Sequence, residues 1–186
     1  MKRFSISVAL AIGLLTSALP VHAAQSVTAP LQVGAVFPKF SGRTVTDRPF
    51  ALTGSSTNKP TVLVFSFSRT AGKDARLWNE HLAKDFPNTI SAYGVIQLES
   101  APKIFRRLAI SGIESSMPVS VQDRTIVLYH DEQLWKQRLG VKDESRAYVV
   151  LLDRSGIIRW MNSGAFSEVT YGRLKNALPA LLQPRP

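Results

Sequence analysis

The stretch VLVFSFSRTAGKDARLW, residues 62–78, contains two different periodicities. Its first half, extended back to Thr61, is a near-continuous run of β-branched and aromatic residues. A half-buried strand alternates apolar with polar, and this run does not. It is therefore expected to be covered on both faces, at the centre of a sheet. From Thr70 the pattern changes. Ala71, Ala75, Trp78, Leu82 and Phe86 recur at intervals of four, three, four and four, which draws one apolar stripe along a helix. Phe86-Pro87 ends that helix, because a residue before proline is pushed out of helical backbone.

Reading outward, TISAYGVIQL (89–98) is a second strand. SAPKIFRRLAISGI (100–113) reads as a helix with Ser100 as cap and Pro102 in its first turn. Ile104, Phe105 and Leu108 are expected to face inward and Arg106 and Arg107 to face water. ESSMPVSVQD (114–123) is loop composition and TIVLY (125–129) a short strand. Asp131 is placed to cap EQLWKQRL, with Gly140 as the stop. AYVVLL (147–152), DRSG (153–156) and IIRWM (157–161) form a hairpin signal. A last helix over 167–182 would bury Tyr171, Leu174, Leu178 and Leu181, with a bend or early end at Pro179. Upstream, 33–52 reads as short strands and turns and GSSTNKP (54–60) as a loop. Helices between strands demand crossover connections, so much of the sheet should be parallel, with the hairpin as an antiparallel edge. Helices then cover both faces.

The first residues stand apart from this pattern. Lys2 and Arg3 precede an apolar run, Phe4 to Leu19, and Val21-His22-Ala23 puts small residues where a signal peptidase reads. Residues 1–23 are expected to be a secretory signal peptide, cut after Ala23 or Ala24, and the protein to be periplasmic. The apolar run is short for a membrane span. Removing it from a chain of 186 residues leaves enough for one domain, placed at 31–182. The formal net charge is +10, including Lys2 and Arg3. A basic surface suits anionic partners, acidic peptides or membrane headgroups, and nucleic acid is not expected for an exported chain. The chain has no cysteine, which excludes disulfides, thiolate catalysis and cysteine-ligated metals.

Three phrases in this order resemble thioredoxin-like domains of the peroxiredoxin and TlpA type. LQVGAVFPKFSG resembles the opening, PTVLVFSFS the central strand, and YVVLLDRSGIIRWMNSGAFSE the closing strand, turn, strand and glycine before the last helix. The resemblance implies a three-layer α/β/α sandwich with a mixed central sheet. It places the family's nucleophilic cysteine at Ala71, the second cysteine of a CxxC pair at Asp74, and a peroxiredoxin hydroxyl at Ser68. The cis-proline of the fold falls at Ala147. The redox centre is thus read as lost, leaving a helix N-terminus with Arg69 and Lys73 beside it as a local positive pole. A narrower resemblance, over LGVKDESRAYVVLLDRSGIIRWMNSGAFSE (139–168), is to the assembly factor for the membrane sector of ATP synthase. A periplasmic thioredoxin-like family of unknown role shares much of it.

The protein is accordingly expected to be a non-catalytic, exported module that binds a polypeptide client or assists assembly of a membrane complex, without a cofactor. An anionic membrane surface is a second candidate partner. Ser68, Arg69, Ala71, Lys73, Asp74, Ala147, Arg159 and Trp160 form the expected contact zone. Arg159 and Trp160 together suit a binding surface, although alternation along the strand would equally bury Trp160 and leave Arg159 in water. Trp78 belongs to the core stripe. Trp135, beside Leu134, is expected to be partly exposed. His130-Asp131-Glu132 lacks the three- or four-residue spacing of ligands on one helix face. A Ser68–His81–Asp74 triad fails because His81 lies two turns down the helix from Asp74. Lys103, Arg106 and Arg107 make a basic cluster, for anionic lipid or peptide or simply for solvation. The competing expectations are an enzyme with non-thiol chemistry at Ser68-Arg69 and a structural domain without a ligand.

Overall fold

The computed structural model describes residues 29–53 and 58–183. The signal peptide expected over 1–23 lies outside them. Seven strands, β1 (Phe40–Thr44), β2 (Pro49–Leu52), β3 (Thr61–Ser66), β4 (Ser91–Gln97), β5 (Thr125–Leu128), β6 (Tyr148–Leu152) and β7 (Ile158–Ser163), make one sheet in the order β2-β1-β5-β4-β3-β6-β7. Between and after them come helices α1 (Arg69–Asp85), α2 (Lys103–Ser115), α3 (Val119–Gln122), α4 (Glu132–Leu139), α5 (Glu168–Ala177) and α6 (Pro179–Leu182). The fold is a thioredoxin-like three-layer sandwich on a mixed sheet.

β3 is central, and all six of its residues are buried. Its period of two sends Leu63 and Phe65 to one face and Val62 and Val64 to the other. On the first face, Phe65 stacks on Trp135 of α4, and Phe37 and Phe40 close the aromatic cluster. On the second, Trp78 of α1 meets Tyr171 of α5, beside Leu82 and Leu174. The apolar stripe of α1 is where its spacing puts it, with Ala71, Ala75, Trp78 and Leu82 buried.

The sheet is less parallel than the alternation of strands and helices suggests. Only β3–β4 and β4–β5 are parallel, while β6 runs antiparallel to β3 on its other side. Crossover length does not reveal on which side of the sheet the chain returns. Four local expectations also change. Trp135 is 4% exposed, because it takes the inward position and leaves Leu134 half-buried. Part of the 114–123 loop is the short helix α3. Ser100 does not cap α2, which starts after Pro102; its N–H donates to the Glu132 carboxylate instead. Asp131 makes no side-chain cap; the Glu99 carboxylate accepts the Glu132 N–H at 2.6 Å. As expected, Gly140 ends α4 with φ of +62°, and Pro179 breaks the last helix after Leu178.

Candidate functional site

The carboxyl end of β3 delivers the chain to the corner where thioredoxin-like enzymes keep their thiols. Ser68 is extended and caps α1, accepting the Ala71 N–H at 3.1 Å. Its own hydroxyl proton goes to the Glu144 carbonyl at 2.6 Å. The Ala71 methyl group, 0% exposed, stands at the position expected to match the family's first thiol. At the second, the Asp74 carboxylate accepts the N–H of Ala147 at 3.0 Å and that of Phe166 at 2.5 Å. One side chain therefore ties α1 to the strand entering β6 and to the approach to α5. Ala147 is itself buried. Of the expected contact residues at this corner, Ser68, Arg69 and Lys73 are exposed, whereas Ala71 and Ala147 present no surface.

Behind the corner lies an ionic network that the sequence announces only in part. The Lys136 ammonium bonds to both Glu132 and Glu144 at 2.7 Å and sits 5.9 Å from the centre of the Phe67 ring. Glu132 is buried, and its other oxygen accepts the Ser100 N–H at 3.0 Å. Burial alone would raise the Glu132 pKa, but Lys136 and Ser100 outweigh it and hold the carboxyl below its ordinary range. Burial likewise works to lower Lys136, and its two carboxylates overcome that and raise it. The Glu132–Lys136 spacing of four is the one signal in the sequence. Glu144 joins only through the return of the chain to β6.

Arg159 and Trp160 do not form one surface. Trp160 is half-buried and packs 6.2 Å from Trp78 on the α1 face. Arg159 bonds to Asp153 through Nε at 2.8 Å and Nη2 at 2.7 Å. The β6–β7 register sets Tyr148 opposite Ser163 at the corner end and Leu152 opposite Ile158 at the other, so Arg159 lies toward the far end of the strand. His81 bonds to the Leu77 carbonyl and pairs with Glu168, away from Ser68. His130 offers its carbonyl to Gln97 while Glu132 serves Lys136. Among the described residues, no three His, Cys, Asp or Glu gather as a metal-binding group.

A cleft along the sheet edge that the hairpin is expected to form lies beside the corner. Leu139, Tyr148, Val149, Met161, Asn162 and Ser163 line a shallow cleft, and β7 beside it is an edge strand. The start of β7 is covered by the segment around Ala35, through Gly34 N–H to Ile158 C=O at 2.8 Å and Ile158 N–H to Ala35 C=O at 2.9 Å. Beyond Ile158, no strand among the described residues pairs with the outer side of β7.

Comparison with solved structures returns thioredoxin-like proteins. A Chlorobium tepidum protein described as a candidate thiol:disulfide interchange protein DsbE is 17% identical with a TM-score of 0.58, covering 82% of this chain and 99% of its own. A peroxiredoxin-like protein from Aquifex aeolicus is 13% identical with a TM-score of 0.55, over 81% and 90%. The thioredoxin domain of a thiol-disulfide oxidoreductase from Bacteroides vulgatus is 16% identical with a TM-score of 0.55, over 80% and 99%. At such identities the likeness is one of fold. No sequence among curated proteins matches. The family described as ATP10 protein matches residues 30–180, a wider span than the 139–168 segment that carries the narrower resemblance.

Proposed function

Because the chain belongs to the ATP10 protein family, we propose that it is an exported, non-catalytic assembly factor that holds a polypeptide of a membrane complex. The observation that carries this reading is the state of the corner. The fold is retained, while the two thiol positions hold a buried methyl group and a carboxylate committed to two backbone N–H groups. A thiolate is the nucleophile of thiol–disulfide exchange, and none exists here. A hydroxyl enzyme at Ser68 is weaker as a reading, because the Ser68 proton is given to a carbonyl and not to a base.

The client is best accommodated at the outer side of β7 beyond Ile158, as an added strand whose side chains enter the neighbouring cleft. Arg69 and Lys73 lie exposed at the corner, where they favour an acidic segment. The test is a strain lacking the gene, with its membrane complexes quantified on native gels. One complex should be depleted, restored by the wild-type gene and by Ser68→Ala, and not restored by the cleft variant Asn162→Lys, Ser163→Arg. If Ser68→Ala fails and the cleft variant succeeds, the hydroxyl enzyme is the better account. No depleted complex would sink the assembly reading. Export is tested separately, by fractionation and by the N-terminal residue of the purified protein, expected to be Ala24 or Gln25.

A further inference from the structure

In the crossover from β4 to β5, Ile110, Ile113, Met117 and Val121 are half-buried, while four other large apolar residues stay outside. No residue of α2 or α3 is buried. Ile104 is 82%, Phe105 58%, Leu108 72% and Val119 80% exposed. Ile104 and Leu108 stand one turn apart on the solvent side of α2, with Phe105 beside them. Arg106 lies on the half-buried face of the helix with Ala109, Ile110 and Ile113. Its Nε donates to the Ala101 carbonyl at 2.9 Å, its Nη2 to the Glu99 carbonyl at 2.6 Å, and its guanidinium lies 5.6 Å from the centre of the Tyr129 ring. A cation thus takes one inward position of the N-terminal half, and Ile104, Phe105 and Leu108 face the surface.

The rim of this apolar ridge is positive. Lys103 and Arg107 are exposed and, among the described residues, make no hydrogen bond or ion pair. No acidic residue occurs from Lys103 to Ile113. The acidic residue of α2, Glu114, stands at its C-terminal end, two turns beyond Arg107, while Glu99 is engaged with the Glu132 N–H and Asp123 with Arg48. A second copy docked symmetrically on the ridge would oppose Lys103 and Arg107 to their own equivalents, which is repulsive. Lipid headgroups meet both requirements, with phosphates for the cations and an acyl boundary for the apolar side chains. No helix among the described residues is long and apolar enough to cross a membrane. Such contact is therefore interfacial.

We propose that the N-terminal half of α2 docks the protein on the surface of an anionic bilayer, with Ile104, Phe105 and Leu108 entering the headgroup boundary and Lys103 and Arg107 meeting lipid phosphates. This rests on α2 alone and stands or falls independently of the assembly reading.

The absence of cysteine from the chain makes a local probe possible. The full chain carrying Leu108→Cys is labelled with an environment-sensitive dye and mixed with vesicles of phosphatidylglycerol and phosphatidylcholine. A blue shift and protection from an aqueous quencher are expected there and not on phosphatidylcholine alone. A dye at Val169→Cys, an exposed site on α5, should stay in water. Adding Lys103→Glu and Arg107→Glu should weaken vesicle binding read at Leu108 by about 30-fold or more. No shift on anionic vesicles, an equal shift on neutral vesicles, or an equal shift at Val169 overturns the proposal. So does a shift that develops with protein concentration or with an acidic peptide in the absence of lipid.

Discussion

Asp74 holds two neighbouring segments with one carboxylate, accepting N–H groups from Ala147 and Phe166. Replacing it by alanine leaves two donors without their charged acceptor. Asp74→Ala is expected to cost about 2–4 kcal/mol in urea unfolding, and Asp74→Asn less. The neighbouring Ala71 makes a second prediction. In Ala71→Cys the new thiol occupies a site that is 0% exposed, so it should react with an aromatic disulfide reagent far more slowly than Lys73→Cys at an exposed position of the same turn. Equal rates would show that the corner opens readily. On the opposite face of the sheet, Trp135→Ala removes the ring that stacks on Phe37 and Phe65. It should cost about 3–5 kcal/mol.

Among the strands and helices, the β6–β7 hairpin is organised by Asp153, which is buried and accepts the N–H groups of Ser155 and Ile157 and the Arg159 guanidinium. The turn needs Gly156, whose φ is +74°. Helix α2 is the contrary case. Its stripe of Ile104, Phe105 and Leu108 invites an inward reading, but a stripe specifies only that one face differs from the other. The face that turns in carries Ala109, Ile110 and Ile113 together with Arg106, which bonds to two carbonyls beside Tyr129. Arg106→Ala should therefore raise hydrogen exchange across 103–115 selectively. Since no residue of α2 is buried, global stability should change by less than about 1 kcal/mol. A large global loss would mean that α2 belongs to the core.

For the folded protein in its entirety, acid stability depends on two buried carboxylates. Burial works to raise both. Glu132 is nevertheless held low by Lys136 and Ser100, and Asp153 by Arg159 and the turn N–H groups. Each folded-state pKa lies below its ordinary value of 4.5 or 3.8. The stabilisation is fully present above those values and is lost as pH falls through the lower folded ones. Unfolding free energy should be flat near neutrality and decline in the acid range, with a shallower decline in Glu132→Gln. An unchanged acid slope in that variant would contradict the network geometry.

The order of residues alone was enough to specify the central strand, the stripe of α1, the hairpin and the absence of thiol chemistry, because burial on both faces, a helical repeat, turn residues and elemental composition are local properties. Resemblance to the family placed Ser68, Ala71 and Asp74 at one corner. The remainder came from packing in three dimensions. The Asp74 clamp, the Glu132–Lys136–Glu144 network, the separation of Arg159 from Trp160 and the outward face of α2 all depend on groups brought together by the fold. A periodic pattern states that a face is apolar. Which partner covers it, or whether any does, is settled by long-range packing and by where buried polar groups find their acceptors.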